Sequence, residues 1–173
     1  AETSQVPFNF LTLNHNGTLQ FFSKDRVYLG ALNLGYTPTA LAVNELQSSV
    51  YVTDRAGRNI VIYSLSSGNE IGHIANSGKI VSAALDSSTH RLYLLDREAR
   101  QVHVIDSQSN EKIADFATAH APLFMNFNSD RRILFVASSG NLVTALSSRD
   151  GIELGRISDL ESAPLNIATD SAS

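Results

Sequence analysis

A repeat of about 42 residues constrains this chain more than any other feature. Ser49-Val50-Tyr51-Val52-Thr53-Asp54 aligns with Arg91-Leu92-Tyr93-Leu94-Leu95-Asp96, and Asn59-Ile60-Val61-Ile62-Tyr63-Ser64 with Gln101-Val102-His103-Val104-Ile105-Asp106. A third copy of both follows at residues 132–137 and 141–146, slightly out of step. Pro38, Pro122 and Pro164 share one register position, with Ile80 at the equivalent place in the second unit. The period also runs backwards, because Phe8-Asn9-Phe10-Leu11-Thr12 aligns with residues 50–54. The units fall at about 8–37, 38–79, 80–121 and 122–163. A repeat this long marks one supersecondary unit stacked on its neighbours.

Within a unit the apolar residues come in short runs separated by Gly, Asn, Asp and Ser, which is the pattern of strands and turns. In the first complete unit the strands are expected near residues 39–43, 49–54, 59–65 and 69–75. No stretch holds an apolar period near 3.6 long enough for a helix. The second and third strands are nearly continuous apolar runs, as strands covered on both faces are. The fourth is more polar, with Glu70 and His73 in one unit and Lys112 and Asp115 in the next. Charged residues on an outer strand keep its open backbone groups from pairing with other chains. Four-stranded units with a polar outer edge, repeated in series, predict an all-β fold, a β-propeller of about four blades.

Val50-Tyr51-Val52-Thr53-Asp54 followed by Asn59-Ile60-Val61-Ile62-Tyr63 resembles the YVTN-type propeller repeat, and the next unit is similar. The resemblance covers roughly residues 38–168 well and the first unit weakly. The third full unit departs from it, with Ser138 in place of Asp and a turn shortened to Ser139-Gly140. The resemblance implies a propeller fold and a periplasmic or extracellular setting. It does not imply one function, because such blades host many. The family's rings are often larger than four blades.

The chain begins at the second strand of a unit, and residues 164–168 match a first strand. The expectation is that this terminal strand completes the first blade and closes the ring. A single chain then forms a four-bladed ring. The alternatives are an eight-bladed ring shared by two chains, and a fragment of a larger propeller. The chain would accordingly be a monomer or a homodimer, and its 173 residues one propeller domain.

The chain contains no Cys, which excludes thiol chemistry and Cys-ligated metal sites. Its net charge of −4 argues against nucleic acid as a partner. No apolar run reaches the roughly 18 residues that a membrane helix needs.

In a propeller, the loops joining second to third strands share one end with the loops joining blades. Those loops carry Arg55, Arg58, Lys79, Arg97, Arg100 and His120. Guanidinium groups bind carboxylate or phosphate in a bidentate fork, so these residues are the candidate binding site for a protein partner or a small anionic ligand. The alternative is that Arg55 and Arg97 pair with Asp54, Asp96 or Glu98 while the rest are solvated. The five His residues show no metal-site spacing, and no cofactor is expected. His103, in the middle of an apolar strand, is expected to be packed and hydrogen-bonded. Asp54, Asp96 and Asp106 end strands, where a carboxylate accepts nearby backbone N–H groups in Asx-type turns. The Tyr residues are mostly at core spacing. The sequence thus points to a non-catalytic interaction or scaffold module. The alternative is an accessory or catalytic propeller that binds a small ligand or cofactor at the axial mouth.

Overall fold

The computed structural model describes residues 10–56, 59–75, 78–164 and 166–169. All of its helix-or-strand elements there are strands. In chain order they are β1 (Phe10–Leu13), β2 (Thr18–Phe22), β3 (Tyr28–Asn33), β4 (Pro38–Asn44), β5 (Ser49–Asp54), β6 (Asn59–Ser64), β7 (Glu70–Ala75) and β8 (Ile80–Asp86). They continue as β9 (Arg91–Asp96), β10 (Gln101–Asp106), β11 (Lys112–Ala117), β12 (Pro122–Asn128), β13 (Ile133–Ser138), β14 (Leu142–Ser147) and β15 (Glu153–Ile157). The expected strands of the first complete unit lie within about a residue of β4 to β7.

The chain divides into two compact units, Ala1–Ser77 and Gly78–Ser173. The first holds the three-stranded sheet β1-β2-β3 and the four-stranded sheet β4-β5-β6-β7. The second holds the sheets β8-β9-β10-β11 and β12-β13-β14-β15. Each sheet is an antiparallel meander in chain order. The fold is therefore all-β and built of propeller-type blades.

The apolar pattern explains the layering. Val50, Tyr51 and Val52 of β5 are all buried, as are Leu92 to Leu95 of β9, because these middle strands are covered on both faces. In the first unit Leu19, Leu34, Val50, Val52, Val61 and Tyr63 form the core. In the second, Tyr93, Leu95, Val102, Val104 and Phe116 of one sheet pack with Met125, Leu134, Val136 and Leu146 of the other. The outer strands β7, β11 and β15 are largely exposed. Tyr51, Tyr63 and Tyr93 are core residues as expected, but Tyr28, on the outer strand β3, is 56% exposed.

Backbone irregularities repeat with the sequence. The register slips near the start of the first strand in three blades, at Pro38/Ala40, Ile80/Ser82 and Pro122/Phe124. In the first of these the Thr53 hydroxyl fills the gap, accepting the Ala40 N–H at 2.9 Å. Ser48, His90 and Arg132 occupy the same turn position with positive φ. Gly68, Asn110 and Gly151 do so in the next turn along, and each donates its N–H to the carbonyl four residues back. The shortened turn of the last blade works differently. Gly140 and Asn141 both take positive φ, so the turn forms without the Asp that starts the turns at 54 and 96.

Gly151 adds a packing constraint to its φ of +73. A Cβ there would stand 2.4 Å from the ring of Phe116. Gly151→Ala is expected to cost about 2–3 kcal/mol in urea unfolding, against about 1 kcal/mol for Gly140→Ala, whose φ is +85 with open space around it. Equal losses in the two variants would show that Phe116 moves aside freely.

The expected closing strand would run over residues 164–168. Among the described residues of 164–168 none lies in a strand, Leu165 is outside the described residues, and the first sheet has three strands among the described residues. The local chemistry is that of a loop. Asn166 accepts the Ile167 N–H through its side chain at 2.7 Å, and Thr169 donates its hydroxyl to Asn126 at 3.0 Å. Such side-chain bonds compete with a backbone ladder.

Candidate functional site

In the second unit the loop after β9 is built on Asp96. This residue is 1% exposed at the strand end. Its Oδ1 accepts the N–H groups of Glu98 at 2.8 Å, Ala99 at 2.9 Å and Lys79 at 3.3 Å. Its Oδ2 lies 3.3 Å from His103 Nε2. The other ring nitrogen of His103 is 2.5 Å from Asp115 Oδ1, and Lys112 donates to Asp115 Oδ2 at 2.7 Å. A polar chain thus crosses β9, β10 and β11 and ends on the backbone of the loop. Strand register creates it, because His103 and Asp115 are direct cross-strand partners.

Burial pushes the Asp96 carboxyl up, but the Ala99 N–H, His103 and the Glu98 N–H outweigh it, so the group is held below the ordinary carboxylate value. The same balance holds for Asp115, where His103 and Lys112 overcome burial. Space around Asp96 is fully used. A Cβ on Gly78 would fall 1.5 Å from its Oδ2, so the approach of the preceding linker requires glycine.

The candidate side chains stand on this frame. Lys79, Arg97, Arg100 and His120 are all exposed. Backbone bonds set their places at one end of the second unit's sheets. Arg97 N–H donates to the Lys79 carbonyl at 3.0 Å, and Thr118 N–H to the Arg100 carbonyl at 2.9 Å. The Thr118 hydroxyl bonds the His120 carbonyl at 3.2 Å. In the first unit Arg55 is exposed just after β5, its N–H on the Thr37 carbonyl at 2.9 Å. Arg58 lies outside the described residues.

Among the described residues, none of Arg55, Lys79, Arg97 and Arg100 forms an ion pair. Pairing of Arg55 with Asp54, or of Arg97 with Asp96 or Glu98, is therefore not observed. The reason is local for both aspartates. Asp54 accepts the Ala56 N–H at 2.9 Å, and Asp96 is committed to its turn and to His103. Asp106 behaves likewise, holding the Gln108 and Ser109 N–H groups. The Asx-turn expectation holds at all three positions. His103 is packed and hydrogen-bonded as expected, but its two carboxylate partners were not foreseen. The signal was available in register, since Asp115 sits opposite His103 once the third and fourth strands are paired.

No family model and no curated protein matches the chain. Solved structures do. The dihydro-heme d1 dehydrogenase NirN in complex with DHE superposes with a TM-score of 0.71 at 14% identity, over 90% of this chain and 35% of that one. Hydrazine synthase of Kuenenia stuttgartiensis gives 0.68 at 16% identity, over 81% of this chain and 42% of that one. BamB from Moraxella catarrhalis gives 0.63 at 11% identity, over 86% and 45%. These likenesses show the propeller-type fold. The chain spans less than half the length of each. Among the described residues no helix is long and apolar enough to cross a membrane.

Proposed function

We propose that the chain is a non-catalytic propeller-type interaction module that binds an acidic protein partner through the loops carrying Arg55, Arg58, Lys79, Arg97, Arg100 and His120. The supporting observation is the commitment of Asp96. Because its carboxylate is bound to backbone N–H groups and His103, the cations on the same loop are left to solvent. An exposed guanidinium whose adjacent acid is already satisfied is available to an external carboxylate. The loop backbone is also fixed in advance, which lowers the ordering cost of binding. The resemblance to the YVTN-type repeat adds a periplasmic or extracellular setting, with the chain acting as a monomer or a homodimer.

The test is fluorescence anisotropy with a labelled Glu-rich peptide. Binding should weaken steeply with added salt, as screening of exposed charges requires. The double variant Arg97→Glu with Arg100→Glu should lower affinity by at least about tenfold while thermal unfolding is unchanged. Salt-independent binding, or affinity equal to that of the parent chain, would remove the proposed role.

A further inference from the structure

The opposite strand ends of the second unit carry a separate feature. An open cleft of about 500 Å³ lies where sheet β8-β9-β10-β11 meets sheet β12-β13-β14-β15, lined by Asp86, Arg91, Tyr93, Arg132 and Arg149 among others. Two of the arginines are held across the junction. Arg91 Nη1 donates to the carbonyls of Ser148 at 3.0 Å and Arg149 at 2.7 Å. Arg132 Nη1 pairs with Asp86, and its Nη2 donates to Ser88 Oγ at 2.8 Å. The Tyr93 hydroxyl closes the floor, donating to the Ser148 carbonyl at 3.0 Å.

Cross-sheet stapling accounts for how Arg91 and Arg132 are anchored. It does not account for the charge. Among the described residues Asp86 is the one acid lining the cleft, and it already accepts hydroxyl bonds from Ser88 and Thr89, both at 2.6 Å, besides Arg132. No carboxylate stands within ion-pair distance of Arg91 or Arg149 among the described residues. Asp150 acts on Arg149 only electrostatically, from outside the lining. Among the described residues the lining thus sets three arginines against one carboxylate, in a concave site on a chain of net charge −4.

We propose that this cleft binds a small organic dianion, a phosphate monoester or a dicarboxylate, through Arg91, Arg132 and Arg149. Its volume falls within the range of roughly 300–1,000 Å³ usual for small-molecule sites and exceeds what a bare oxyanion fills. The two pinned guanidiniums keep N–H groups beyond those already bonded, held in place at little entropic cost, and Arg149, exposed at the rim, supplies a free fork. The excess of two charges sets the preference for a dianion over a monoanion.

Calorimetric titration of the chain with phenyl phosphate and with succinate tests this. At least one is expected to bind with a Kd of about 1 mM or tighter. Arg149→Gln should weaken it by at least about tenfold without changing thermal unfolding. The stronger probe identifies the ligand as phosphate ester or dicarboxylate. No binding of either at about 10 mM overturns the proposal, as does an unchanged affinity in Arg149→Gln. Arg97→Gln with Arg100→Gln should leave this binding intact. Loss there, with Arg149→Gln unaffected, would move the anion to the other loops and remove the cleft from consideration.

Discussion

Tyr93→Ala is expected to destabilise the second unit by about 4 kcal/mol. Tyr93 is fully buried in the core formed by the two sheets of that unit. Its ring lies 5.5 Å from that of Phe127 on β12. Truncation removes the ring from a packed layer whose other members are held by two sheets and cannot collapse inward, so the cavity cost adds to the lost transfer energy. The hydroxyl is a smaller part. It donates to the Ser148 carbonyl, which Arg91 also reaches, so Tyr93→Phe leaves that acceptor with a partner and should cost about 1 kcal/mol. Urea unfolding of both variants separates the ring from the hydroxyl. A loss below about 2 kcal/mol for Tyr93→Ala would mean that the two sheets do not share the core described.

The blades were legible in the sequence because their causes are local. Continuous apolar runs such as 50–52 and 92–95 specify doubly covered strands, and the Asp residues at 54, 96 and 106 specify the turns that end them. Period alone placed the strands to within about a residue. What lies between blades was not legible. Arg91 and Arg132 both read from sequence as the first residue of a second strand. That they staple two sheets depends on pairings 57 and 46 residues apart, which no repeat period encodes. The cleft and its unmatched Arg149 follow from that docking. The closing strand is an expectation of the same kind, because its ladder partner would come from the far end of the chain. Residues 164–168 carry a first-strand pattern, and a local pattern does not supply that partner. Sequence also named Arg97 and Arg100 without showing why they are unpaired. The answer lay in Asp96, whose partners come from its own loop, from β10 and from the linker before β8.

Asp96→Ala is expected to cost about 3 kcal/mol, close behind the loss of the Tyr93 ring. The substitution strips partners from the Glu98, Ala99 and Lys79 N–H groups and from His103. Asp96→Asn retains an acceptor oxygen but not the charge, and should cost about half as much. The pH dependence distinguishes a lost charge from a lost shape. The folded-state carboxyl of Asp96 titrates below its unfolded value, so its stabilisation is complete above the unfolded value near 4 and disappears as pH falls through the folded one. The gap in urea midpoint between the parent chain and Asp96→Asn should therefore be widest at neutral pH and narrow below about pH 4. A gap that stays constant down to pH of about 2 would show that the carboxylate charge contributes nothing and that only the acceptor geometry matters. The consequence for binding follows from the same bonds. With Asp96 gone, the Glu98 and Ala99 N–H groups lose their acceptor, and only the backbone bonds at Arg97 and Arg100 still hold residues 97–100 before a partner arrives. Asp96→Ala should then weaken acidic-peptide binding even though both arginines remain, because the ordering cost shifts from folding to association.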